Sequence, residues 1–155
     1  MKYVFPGTKY TTPTLVLTWY HGNRRPPATV KDLVGGKFHD QGSIYLGTEG
    51  VLSSPYIATP VLLPVEKFKG YKLPDAGSAD HYRQFVEACR GNGKTSTPFS
   101  YAGPLTESVL LGCLATRFPE KTLEWDAAGL KVTNVKEANR FVRRRYRKGW
   151  QVEGL

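Results

Sequence analysis

Hydrophobic and polar positions change their rhythm about halfway along the chain. Up to residue 65, short stretches dense in β-branched and aromatic residues, 2–5, 14–20 (TLVLTWY), 43–46 and 60–65, read as strands. Gly7, Gly22 with Asn23, Pro26 with Pro27, Gly35 with Gly36, and the glycines at 47 and 50 separate them, supplying the positive or fixed φ values that chain reversals need. The connections are short, so neighbouring strands are expected to run antiparallel. Beyond a loop at 67–77, Tyr82, Phe85, Val86 and Cys89 fall at i, i+3, i+4 and i+7, which predicts one face of a helix over 78–90. Ser78 or Asp80 can cap that helix and Gly91 can end it. A second helix is expected over 104–118, opened by Pro104 and stopped by Pro119, with Leu105, Val109, Cys113 and Thr116 as its face and Gly112 and Ala115 permitting close packing. Residues 122–125 and 130–133 read as two more strands about a turn at 126–129. Asn134 followed by Glu137 resembles a capping box that opens a third helix toward residue 146. Strands first and helices mostly after them predict an α+β domain: a largely antiparallel open β-sheet with about three helices packed on one face.

Composition narrows this picture. With 155 residues, 40% of them hydrophobic, the chain has material for one ordinary core, and a single domain over 1–155 is expected. No apolar run approaches the roughly 20 residues needed to cross a bilayer, and no apolar segment follows Lys2 as in a signal peptide. The chain is expected to be soluble, with no membrane partner and the cytoplasm as default compartment. Cys89 and Cys113 lie in helix-like stretches and in no metal-binding spacing, and read as reduced core thiols.

The formal net charge of +9 raises the question of a polyanionic partner. Much of the excess sits in one run, Arg140, Arg143, Arg144, Arg145, Arg147 and Lys148. A helix ending in basic side chains satisfies its own negative C-terminal dipole, so a solvated or internally paired helix end is the simpler explanation. An independent basic module for nucleic acid or another polyanion is the alternative.

Motifs for self-sufficient chemistry are missing. Residues 88–95 (ACRGNGKT) fit a relaxed phosphate-loop pattern, but the order is wrong: a helix precedes the loop, and Pro98 follows where a helix should begin. No G-x-G-x-x-G follows a strand, His21, His39 and His81 show no metal-ligand spacing, and no G-x-S-x-G elbow occurs. No catalytic, cofactor-binding or metal-binding residue is therefore assigned. Two stretches carry binding chemistry. Residues 19–27 (WYHGNRRPP) put aromatic rings, an imidazole and two guanidiniums at a strand end; this is either a hairpin corner with Trp19 in the core or an edge that stacks on a sugar face. Asp80-His81 opens a helix, where the dipole favours the carboxylate; a simple cap with a solvated histidine competes with a ligand contact.

The segments WYHGNRRPP, GSIYLGTEGVL, HYRQFVEACRG, PFSYAGPLTESVLLGCLATR, TLEWDAAGLKVTN and EANRFVRRRYRKGW, in this order over nearly the whole chain, resemble the C-terminal part of Gfo/Idh/MocA oxidoreductases, the glucose-fructose oxidoreductase and inositol dehydrogenase family. The resemblance implies a substrate-side and oligomerisation domain of an NAD(P)-dependent sugar or polyol oxidoreductase, whose partner is an N-terminal Rossmann domain in cis or in trans. That domain, the cofactor fingerprint and the family's catalytic lysine have no counterpart in this chain, so NAD or NADP belongs to the complete enzyme and no turnover is expected from this chain alone. The resemblance also implies a homo-oligomer formed through the open sheet face. Where members of this branch carry Asp-Gly-Gly after the Trp-Tyr pair, this chain has His21-Gly22-Asn23, and nothing is carried over to His21. The substrate-binding candidates are Trp19, Tyr20, Arg24 and His81.

Overall fold

A computed structural model describes residues 1–75 and 77–153; Ala76, within the expected loop, and residues 154–155 lie outside the described residues. The fold is α+β, with small antiparallel sheets and a few helices. The strands do not join into one open sheet as expected; they divide into a pair, a triplet and a second pair. Two compact units are distinguished, residues 18–78 and residues 1–17 with 79–155.

In the unit of residues 18–78, a short helix α1 (Ala28–Leu33) precedes a meander of β3 (Gly42–Leu46), β4 (Val51–Pro55) and β5 (Val61–Leu63), followed by a 3-10 helix (Val65–Phe68). Neither α1 nor β4 was expected from the pattern. Strand β4 is nevertheless the centre of the sheet, with Val51 opposite both Leu46 and Leu63 and Ser53 opposite both Ile44 and Val61. Being paired on both edges buries Val51 and Ser53, the serine being small enough to sit there. Gly50, just before β4, lies so close to the Leu63 carbonyl and the Phe68 ring that a Cβ would collide with both. Lys67 ties the 3-10 helix to the β3–β4 turn, donating to the Glu49 carboxylate at 2.8 Å and to its backbone carbonyl at 2.6 Å. That hydrogen bond and the lysine's charge hold the Glu49 carboxyl below its ordinary pKa.

The other unit contains β1 (Lys2–Pro6) and all but the last residue of its partner β2 (Thr14–Thr18), then α2 (His81–Cys89), α3 (Phe99–Ala115), the short strands β6 (Trp125–Asp126) and β7 (Lys131–Val132), and a 3-10 helix (Lys136–Phe141). Helix α2 follows its capping signals: the Asp80 carboxylate accepts from the amides of Tyr82 and Arg83, both at 3.0 Å. Its exit is a complete Schellman motif, with Gly91 at φ +79° donating to the Ala88 carbonyl and Asn92 donating to that of Glu87. Helix α3 begins five residues earlier than Pro104 suggests, so that proline sits inside it.

The core of this unit is Leu114, Val132 and Ala138, with Leu111, Phe118, Leu123, Trp125, Val135 and Val142 packed around them. The inward side of α3 is thus Leu111 and Leu114, joined by Phe118 just beyond the helix end, rather than the expected Leu105, Val109, Cys113 and Thr116. The helix is apolar on most sides, so periodicity alone did not select its face. Cys113 lies on the exposed side, as does Cys89 on α2, and both are free thiols; the core-thiol expectation is overturned. Gly112 meets the Tyr3 hydroxyl and the Met1 thioether, leaving no room for a Cβ.

The expected helix from Asn134 toward residue 146 is a six-residue 3-10 helix instead. Asn134 does not cap it: its side chain accepts from the Glu124 amide and donates to the Thr122 carbonyl, both at 2.9 Å, acting as a strand neighbour. Asn139 does the same for β7, accepting from the amide of Val132 and donating to its carbonyl at 2.8 Å each. The basic residues 143–148 follow this helix as irregular chain, so a helix C-terminal dipole does not account for them.

The chain leaves 13665 Å² accessible to solvent. Two separate compact globules of these two lengths would expose only roughly 9,400 Å². The excess includes the face of α2, where Tyr82, Phe85 and Val86 are 86%, 64% and 51% exposed.

Candidate functional site

Three of the four candidate binding residues share one loop. Strand β2 ends at Thr18, and the chain continues through Trp19 and Tyr20, both still accessible, into a reversal at residues 21–24. The Arg24 amide donates to the His21 carbonyl at 3.4 Å, with Gly22 at φ +63° supplying the left-handed residue at the first central position. Trp19 therefore lies at an open strand end rather than in a core.

The two adjacent guanidiniums have different tasks, which the sequence could not separate. Arg25 donates from Nη1 to the carbonyls of Gly22, at 2.8 Å, and Arg24, at 3.0 Å, and so clamps the turn from the inside. Arg24 is exposed and has no side-chain hydrogen bond or ion pair among the described residues. The loop thus presents an indole, a phenol and an unengaged guanidinium, with the turn beneath them held by Arg25. Rings offer flat apolar faces, and a guanidinium offers up to five donors, a combination suited to hydroxyl-bearing ligands.

His81 is the first residue of α2, exposed, and belongs to the other unit. Its neighbour Asp80 caps the helix through Oδ1, which accepts both amides. Among the described residues, no group of three His, Cys, Asp or Glu side chains is placed to hold a metal ion, and no helix is long and apolar enough to cross a membrane.

The phosphate-loop lookalike at 88–95 is the end of α2 and its Schellman exit. The helix carbonyls, not amides, point into that turn, which is the wrong dipole end for a phosphate. The basic run has a different character. None of Arg143, Arg144, Arg145, Arg147 or Lys148 is ion-paired with a carboxylate among the described residues, and all are exposed. Arg147 stacks over Trp150 at 4.4 Å, while Arg140 and Arg117 lie over the Phe141 ring at 4.5 and 4.7 Å. Comparison with protein families, with curated proteins and with solved structures finds no significant match for the chain.

Proposed function

We propose that this chain is the substrate-side and assembly domain of an NAD(P)-dependent sugar or polyol oxidoreductase of the Gfo/Idh/MocA type. The observation that carries the reading is the order of six separate motifs across nearly the whole sequence. Two physical features support it. Large apolar side chains such as Tyr82, Phe85, Val86, Leu105 and Val109 are exposed on its helices, as expected of a domain covered by a Rossmann partner or by further copies of itself. The loop carrying Trp19, Tyr20 and Arg24 presents accessible rings together with a guanidinium that has no side-chain partner among the described residues.

In this reading the chain binds and orients the sugar or polyol, and the nicotinamide cofactor and the base belong to the Rossmann partner. Hydride transfer needs a nicotinamide held against the substrate carbon and a base at the hydroxyl. The experiment is reconstitution: the chain is joined or mixed with a Rossmann domain of this family, and NAD(P)H formation is followed with a panel of sugars and polyols. Activity is expected only in the combined sample and should fall when Tyr20 or His81 is changed to alanine. Turnover by the chain alone, or reconstituted activity indifferent to both substitutions, overturns the assignment.

A second reading rests on the basic run, which is irregular and lacks carboxylate partners. As an independent polyanion-binding module the chain would hold nucleic acid with nanomolar affinity and sequence preference at physiological salt. A merely solvated run gives weak binding, indifferent to sequence and lost steeply with added salt, as counterion release requires.

A further inference from the structure

Strand β2 combines three properties that together specify a partner. Its sequence, Thr14-Leu15-Val16-Leu17-Thr18, reads the same in both directions. All five residues are exposed, with Leu15, Val16 and Leu17 at 39%, 50% and 42%. Its only strand neighbour among the described residues is β1, so one edge is open. Neither a charged residue nor a proline interrupts it, although exposed edges are ordinarily guarded by one or the other.

The backbone fixes which groups line that edge. The Gly7 amide donates to the Pro13 carbonyl at 2.8 Å, so Pro13 faces β1. Successive residues in a hairpin face alternate sides, which turns Leu15 and Leu17 toward β1 and Thr14, Val16 and Thr18 toward the open edge. The Thr14 carbonyl is already engaged by the Thr12 hydroxyl at 2.7 Å. The main-chain groups of Val16 lie at the centre of the edge.

We propose that two copies of this chain pair antiparallel through β2, about a two-fold axis at Val16, forming a four-stranded sheet in the order β1, β2, β2, β1. In this register Val16 meets its own counterpart as a hydrogen-bonded pair, each giving and accepting one bond. Thr14 meets Thr18 at the flanking hydrogen-bonded sites, where the second lone pair of the Thr14 carbonyl accepts beside the Thr12 hydroxyl. Leu15 meets Leu17 at the non-hydrogen-bonded sites, where side chains approach most closely. The palindrome makes every pair like with like, as a two-fold interface requires. A slip by one residue would break all of these pairings at once. The pairing uses the edge of a strand, not the face of a sheet, and it stands whether or not the oxidoreductase reading holds.

Disulfide trapping tests it in a chain carrying Cys89→Ser and Cys113→Ser. Val16→Cys should give covalent dimers under mild oxidation, because the central pair lies about 5.5 Å apart between Cα atoms, within disulfide reach. Thr14→Cys alone should not, since the two copies' residues 14 stand four positions apart, roughly 13 Å; Thr14→Cys with Thr18→Cys should restore trapping. Hydrogen exchange on the unmodified chain gives an independent readout. The Val16 amide should become protected as protein concentration rises, and Val16→Lys should weaken the dimer on the order of tenfold. Equal trapping by Thr14→Cys and Val16→Cys, absence of a Val16→Cys dimer, or a Val16 amide indifferent to concentration would overturn the proposal.

Discussion

Replacing Asn139 with alanine removes the side chain that stands in for a missing strand beside β7. Its amide accepts from the Val132 N–H and donates to the Val132 carbonyl, both at 2.8 Å, and Val132 is only 2% exposed. The substitution leaves a buried donor and a buried acceptor unpaired with little access to water. An unsatisfied buried polar group costs about 1–3 kcal/mol, so a loss of roughly 2–6 kcal/mol is expected for the pair. Asn134 provides the control, because it makes the same two kinds of bond to Glu124 and Thr122, whose backbone is exposed. Water can replace those bonds, and Asn134→Ala should cost only about 0.5–1.5 kcal/mol. Urea unfolding followed by tryptophan fluorescence gives both numbers from midpoint shifts at constant slope. If Asn134→Ala costs as much as Asn139→Ala, burial is not what sets the price of these bonds, and the account of the core around Val132 is wrong.

The other expectations rest on single features. Burial, reinforced by the nearby Cys113, pushes the Tyr3 phenol above its ordinary pKa of 10.0, so the fold favours its neutral form; that contribution is intact below about pH 10 and is lost as pH rises through the raised value. Tyr3→Phe should abolish this alkaline loss, and a mutant that falls with the wild type above pH 10 would refute it. Asp80→Ala should destabilise α2 by about 1 kcal/mol while Asp80→Asn stays close to wild type, seen as faster exchange of the Gln84 amide, which donates to the Asp80 carbonyl. Both cysteines of the isolated chain should react with a thiol reagent without denaturant, since both are exposed; reactivity that appears only on unfolding would restore them to a core.

Legibility in the sequence followed how local each signal is. The Asp80 cap and the Gly91 exit of α2 were readable because capping needs only residues within one turn of each other. Strand β4 was missed because two serines and a proline hide its role; its central place comes from pairing with β3 and β5, which no window of five residues contains. Asn134 was misread for the complementary reason. Its side chain can serve a helix start or a neighbouring strand, and the choice fell to Thr122 and Glu124, more than nine residues upstream. At the candidate site, residue types were readable and assignments were not: Arg24 and Arg25 are adjacent and identical, yet only the second clamps the turn.

The misread helix faces bear on the assembly itself. Tyr82, Phe85, Val86 and Cys89 keep the spacing of a buried stripe, and so do Leu105, Val109 and Cys113, yet all are exposed in the described chain. The caps hold α2 in place without burying that stripe, so local signals account for the helix but not for its apolar face. Exposed stripes of this kind are costly in water and become favourable when another surface covers them. The proposed Rossmann partner would supply such a surface, whereas the pairing of copies through β2 covers a strand edge. The Cys89 thiol distinguishes them: it lies exposed on α2 and takes no part in the β2 pairing, so that pairing alone is expected to leave it reactive, whereas Cys113 lies near Tyr3 of β1, the strand beside β2, and does not discriminate. Loss of Cys89 reactivity only when a Rossmann domain is added would place the missing cover on α2 and tie its apolar face to the oxidoreductase reading.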